Sequence, residues 1–164
     1  MSGPAAGRRG DVSDSIAAAE PRPRQAQRYY DRIMTLALTH ANSHAVTDAD
    51  TASAVGSGDV PVLATPRLIT WLEAAAAAAA VGLLNPGQTT VGTSVRLDHR
   101  RPTPVGGTVT VTATLPTAPT GRRLTFTVEA VDANDQVIAA GEIDRVIVNR
   151  NEFLTAAGVP LPPN

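Results

Sequence analysis

The sequence predicts an α+β domain in which one long apolar helix is wrapped by a curled antiparallel β-sheet. Three observations carry that expectation. A nearly uninterrupted apolar stretch runs from Pro66 to Leu84 between helix start and stop signals. After Gly87 the apolar residues switch to a period of two, the signature of half-buried strands. The segments between those strands are short and rich in turn formers, which suits antiparallel neighbours.

Taken in order, residues 1–28 are rich in Ala, Gly, Pro, Arg and Ser, and hold only Val12 and Ile16 as large aliphatics. Such a segment buries too little apolar surface to offset its ordering entropy, so a disordered tail is expected. The Arg8-Arg9 pair invites a twin-arginine export reading, but no apolar h-region follows it. From Tyr29 to Asp50 the aliphatics Ile33, Met34, Leu36, Leu38 and Val46 alternate with Thr and His in a strand-like pattern. Gly56-Ser57-Gly58-Asp59 marks a loop, and Thr65-Pro66 reads as a Thr N-cap with Pro at the first helical position. The helix is expected over Pro66 to Leu84, ending before Asn85-Pro86-Gly87.

Beyond the helix, Val91, Val95, Leu97 and His99 are placed on one strand face, and Arg96 and Asp98 on the other. A second strand is expected over Thr108 to Leu115 and a third over Leu124 to Ala130. The third presents Leu124, Phe126, Val128 and Ala130 to the core. Asp132-Ala133-Asn134-Asp135 suits a hairpin turn into a last strand over Gln136 to Asn149. A helix with so little polar face must be covered nearly all round. The alanine run Ala74 to Ala80 permits close approach of whatever covers it, although it also fits the compositional drift of an Ala-rich chain. The division is a tail over 1–28, one domain over 29–155 and a short C-terminal tail over 156–164.

Composition removes several classes of function. The 164 residues carry 14 basic and 15 acidic side chains, a formal net charge of -1, which gives no footprint for a polyanion. Nucleic acid and anionic membrane surfaces are therefore not expected partners. The longest apolar stretch, Leu68 to Leu84, contains Glu73 and is rich in alanine, so no spanning helix is expected and the location is read as cytoplasmic. Absence of Cys excludes disulfides, thiolate nucleophiles and Cys-based zinc sites. All basic residues are Arg, so Schiff-base chemistry on a lysine is excluded too. No metal site is expected: His40 and His44 are four apart but lack a helix to align them, and they are assigned no chemistry.

Three polar residues are out of place for folding alone. Glu73 has Ile69, Ala76, Ala77 and Ala80 as helix neighbours, with no Arg at helical spacing to pair with it. An unpaired carboxylate there takes up a proton, finds a distant partner or has a function, unless it lies on an exposed seam. His99 points the same way as Val95 and Leu97 and fits a general base, although a core His bonded to a backbone carbonyl would look the same. Thr65 lies beside the positive end of the helix, where backbone N–H groups can hold an oxyanion.

The order Val62-Leu63-Ala64-Thr65-Pro66, Glu73, Val91-Gly92-Thr93, then Val95-Arg96-Leu97-Asp98-His99 ahead of Thr103-Pro104-Val105-Gly106 resembles the fluoroacetyl-CoA thioesterase family of hot-dog-fold proteins. Gly121-Arg122-Arg123-Leu124 and Arg145-Val146-Ile147-Val148 are similar to that family as well. The resemblance covers about Thr47 to Leu154. It implies a hot-dog fold, a homodimer with acyl-CoA bound near the subunit interface, and hydrolysis of an acyl thioester. Coenzyme A enters only as part of the substrate, with no separate cofactor. By that resemblance the catalytic trio is Thr65, Glu73 and His99. Glu73 would attack the thioester or orient the attacking water, His99 would act as acid and base, and Thr65 would position the acyl carbonyl or Glu73. Gly92 matches a glycine whose backbone N–H faces the substrate, and Arg145 an arginine near the coenzyme entrance. The enzyme that names the family has aromatic lid residues upstream of its threonine, whereas no Phe, Tyr or Trp lies between Tyr30 and Trp71 here. A general short- or medium-chain acyl-CoA thioesterase is therefore expected, with a non-catalytic acyl-CoA-binding module of the same fold as the alternative.

Overall fold

The structure is a computed structural model that describes residues 24, 28, 38–116, 119 and 121–161. The expected N-terminal tail, apart from residues 24 and 28, and the first part of the strand-like stretch lie outside the described residues. Strand β1 covers Thr39–Ala45, and a short helix α1 covers Ala52–Val55. The long helix α2 spans Thr65–Ala79, followed by β2 (Gln88–His99), β3 (Thr108–Thr114), β4 (Arg123–Asp132), β5 (Val137–Asn149) and a closing helix α3 (Arg150–Ala156).

All five strands form one antiparallel sheet in the order β1-β3-β4-β5-β2. Strands β3, β4 and β5 are the expected meander. Strand β2 departs from it, since it pairs with β5 at the far edge instead of with its successor β3. The chain from Arg100 to Gly107 carries the crossover, and bonds from the Arg100 and Arg101 N–H groups to the Ile138 carbonyl fasten its start.

The core lies between α2 and the inner face of the sheet. Leu68, Leu72, Ala75, Ala76 and Ala79 of α2 are buried against Val109, Val111, Leu124, Phe126, Val128 and Ile143. The alternation in β4 therefore works as read, with Leu124, Phe126, Val128 and Ala130 inward and Thr125, Thr127 and Glu129 outward. At the other side of the helix the ring of His44 on β1 stacks on Trp71, with centroids 4.4 Å apart and planes within 2°. Arg67 reaches Asp50 at 2.9 Å beside it. These contacts tie β1 and the turn after it to the first two turns of α2.

Both ends of the long helix differ from the sequence reading. Helix α2 begins one residue earlier, because the Ala64 carbonyl already accepts from the Leu68 N–H, so Ala64 is the N-cap and Thr65 the first helical residue. Pro66 sits in the first turn, where its missing N–H costs nothing. The helix stops at Ala79, and a 3-10 turn over Val81–Leu83 replaces the expected last turn ahead of Asn85-Pro86-Gly87. Helix α3, capped by the Asn149 side chain on the Asn151 and Glu152 N–H groups, was not anticipated. The hairpin between β4 and β5 forms as expected: Asp132 Oδ1 accepts from the Asn134 and Gln136 N–H groups, and Asp135 takes φ 58°.

Gly141 shows how closely β2 and β5 approach. A Cβ placed there would run into the backbone carbonyl of Arg96, which cannot step aside without breaking the ladder. Gly141→Ala is expected to destabilise the fold by about 3 kcal/mol and lower Tm by roughly 6–12 °C. A thermal melt checks it.

Candidate active site

A β-bulge in β2 decides which side chains meet. The register with β5 shifts between Gly92 and Ser94, so Thr93 is an extra residue and the alternation changes phase. Without it, Val91 would face the helix together with Val95 and His99. With it, Thr90 and Gly92 join Val95, Leu97 and His99 on the helix side.

Two clusters result, one at each end of β2. At its C-terminal end, Thr65 Oγ1 and His99 Nδ1 lie 2.9 Å apart, a hydrogen bond of good length. The Thr65 hydroxyl does not cap its helix, which leaves it for this contact. His99 is half-buried and its Nε2 is buried with no hydrogen-bond partner. Burial holds the imidazole below its ordinary pKa, opposed only in part by the Arg101 backbone, so the ring is neutral at pH 7 and can accept a proton. Thr65 and His99 line an open cleft of about 370 Å³. Its other walls are mostly aliphatic, from Ala52, Val60, Val62, Leu63 and Pro66, with Ser57 among them and Arg100 and Arg101 beside His99.

Near the N-terminal end of β2, the Glu73 carboxylate lies directly over Gly92. A Cβ on that glycine would collide with Glu73 Oε1, so only glycine leaves room for the carboxylate in this place. Arg145, paired with Gly92 in the ladder, supplies the distant partner that helical spacing could not reveal: its Nη1 is 3.5 Å from Glu73 Oε1. Arg145 is only 8% exposed, and its guanidinium is held by Thr90 through Oγ1 at 2.9 Å and the backbone carbonyl at 3.1 Å. Burial lowers its affinity for a proton and Glu73 opposes that, yet an arginine stays charged throughout the physiological range. The resemblance puts Arg145 near a coenzyme entrance; the structure seats it in the core-facing row of β5. The Glu73 side chain itself is 38% exposed and remains reachable.

The structure thus joins Thr65 to His99, and Glu73 to Gly92 and Arg145, but it does not join the two groups. Glu73 is not a wall of the cleft that holds Thr65 and His99. Gly92 and His99 are about 20 Å apart along β2, and Thr65 and Glu73 about 12 Å apart along α2. Among the described residues no group of three or more His, Cys, Asp or Glu is placed to hold a metal ion, and no helix is long and apolar enough to cross a membrane. Sequence reasoning missed Thr90 and, as cleft residues, Arg100 and Arg101. The position of the last two next to His99 was the available signal.

A family model described as fluoroacetyl-CoA-specific thioesterase matches residues 46–151. A curated relative, the fluoroacetyl-CoA thioesterase of Streptantibioticus cattleyicolor, is 37% identical over 92 residues, which make up 56% of this chain and 65% of the relative. The alignment therefore spans a little under two thirds of that protein's length. A solved structure of the fluoroacetyl-CoA thioesterase FlK superposes with a TM-score of 0.67 at 29% identity, covering 76% of this chain and 95% of the other. A mutant of the same enzyme in complex with fluoroacetate and CoA gives 0.64 at 30% identity, over 70% of this chain and 95% of that one. A thioesterase superfamily member from Thermus thermophilus, 24% identical, shares the fold with a TM-score of 0.67 over 73% of this chain and 88% of its own. The five-stranded antiparallel sheet around α2 is a hot-dog fold, and the chain belongs to the fluoroacetyl-CoA-specific thioesterase family.

Proposed function

We propose that the protein is an acyl-CoA thioesterase that hydrolyses short- or medium-chain acyl thioesters with Thr65, Glu73 and His99. The observation that carries this reading is the Thr65–His99 pair in an aliphatic cleft, next to a helix start. Hydrolysis requires an oxygen nucleophile at the acyl carbon, a proton for the departing thiolate, and donors for the carbonyl oxygen as it becomes negative. Glu73 orients and deprotonates the water whose oxygen bonds to the acyl carbon. Neutral His99 takes that proton on and returns it to the departing thiolate, Thr65 holds the acyl carbonyl, and the Gly92 N–H is the candidate oxyanion donor. The carbon–sulfur bond then breaks, leaving a carboxylic acid and the coenzyme A thiol. The chemistry needs no metal and no cofactor beyond the coenzyme A of the substrate. Among the described residues no Phe, Tyr or Trp lines the cleft, which supports a general acyl preference over one for a fluorinated group.

The separation of the two clusters supports a homodimer as the working unit. Strand β2 is a 12-residue edge strand, and long edges pair. Antiparallel pairing of β2 with that of a second copy, centred on Arg96 and passing over the bulged Thr93, sets Gly92 of one copy opposite His99 of the other. Each Thr65–His99 pair then meets the second copy's Glu73, Gly92 and Arg145. A cytoplasmic enzyme fits this reading.

Thiol release from a panel of acyl-CoAs tests the activity. Turnover of butyryl- or hexanoyl-CoA is expected, and no turnover of any acyl-CoA would favour the binding-module alternative. The pH profile follows from His99. Its neutral form is the base, so kcat/KM is expected to fall as pH drops, with a midpoint below the ordinary imidazole value, because burial favours the neutral ring.

A further inference from the structure

The cleft wall next to the catalytic pair is basic, which an acyl pocket for plain alkyl chains does not need. Arg100 and Arg101 both line the cleft that Thr65 and His99 line. They follow His99 directly, and their N–H groups are pinned to the Ile138 carbonyl, so the wall is fixed relative to the imidazole. The two guanidinium groups are incompletely neutralised. Arg101 Nη1 donates to the neutral Gln136 Oε1 at 2.8 Å, which orients the group and leaves its charge uncompensated. Arg100 meets Asp98 at 3.3 Å in an exposed pair, and solvent screens such a contact heavily.

Resting on the thioesterase reading above, we infer that Arg100 and Arg101 select acyl groups that end in a carboxylate, making the substrates monothioesters of dicarboxylic acids. The aliphatic wall of Val60, Val62 and Leu63 takes the methylene chain, and the guanidinium wall takes the far carboxylate by charge-assisted hydrogen bonds. The phosphates of coenzyme A are the other anions on such a substrate. Thioesters that carry no phosphate tell these anions apart from the acyl carboxylate.

The test compares adipyl-CoA with hexanoyl-CoA, equal in carbon number and different in the terminal carboxylate, on the full-length enzyme with the enzyme-free rate subtracted. Wild type is expected to favour adipyl-CoA in kcat/KM by about tenfold or more, and the double variant Arg100→Gln/Arg101→Gln to lose that ratio. The same pair made as N-acetylcysteamine thioesters, which carry no phosphate, should keep the preference. If the wild type prefers hexanoyl-CoA or treats both alike, the inference is overturned while the thioesterase reading stands, and this holds even if the double variant does not fold. A preference seen only with the coenzyme A esters overturns it as well, by assigning the arginines to the phosphates. Failure to cleave either acyl-CoA rejects the thioesterase reading itself.

Discussion

Replacing His99 by alanine is expected to lower kcat/KM for acyl-CoA hydrolysis by about 10²- to 10⁴-fold, the usual contribution of a positioned acid–base group. The fold should survive it. His99 sits at the end of an edge strand, one of its ring nitrogens is already buried without a partner, and the Thr65 hydroxyl it releases is exposed to water. Deleting the ring therefore orphans no buried group and removes one that is orphaned. The acid limb of the pH profile should vanish with it. Thr65→Val should reduce kcat by removing the 2.9 Å contact, and Thr65→Ser should restore much of it. A His99→Ala enzyme as fast as wild type would exclude the imidazole from the chemistry.

The second large effect is expected at Glu73. Glu73→Gln keeps shape and hydrogen-bonding capacity over Gly92 while removing the negative charge, so a loss of about 10²-fold or more in kcat/KM reads the carboxylate as a base. The substitution also leaves the buried Arg145 without its counter-charge. A urea titration alongside the kinetics separates that structural effect from the catalytic one.

The legibility of this fold in the sequence follows the physics of each segment. The β4 alternation and the Asp132–Asp135 turn were readable because period and turn chemistry are local. The trio of Thr65, Glu73 and His99 was readable as polar residues in apolar places and through resemblance. Strand order was not legible: nothing local in Gln88–His99 says that it pairs with β5 and leaves its own successor at a distance. Nor was the bulge at Thr93, which changes the face of every residue before it and thereby puts Gly92 under Glu73. The partner of Glu73 was hidden for the same reason, since Arg145 is 72 residues away and reaches it only through the β2–β5 register. Thr65 was read as a cap, whereas Ala64 is the N-cap and Thr65 the first helical residue, which frees the hydroxyl for His99.

These nonlocal features leave Thr65 and His99 in one half-site and Glu73, Gly92 and Arg145 in another, and the central claim is that two copies of the chain join them. Subunit complementation tests that most directly. His99→Ala and Glu73→Gln chains, each inactive alone, are co-assembled at equal amounts and assayed for thiol release. If the site is shared across a two-fold axis, half of the dimers are mixed and each holds one intact site, so the mixture should recover about a quarter of the wild-type rate. A mixture no more active than its two separate components would contradict the claim, placing Thr65, His99 and Glu73 in a site built within one chain.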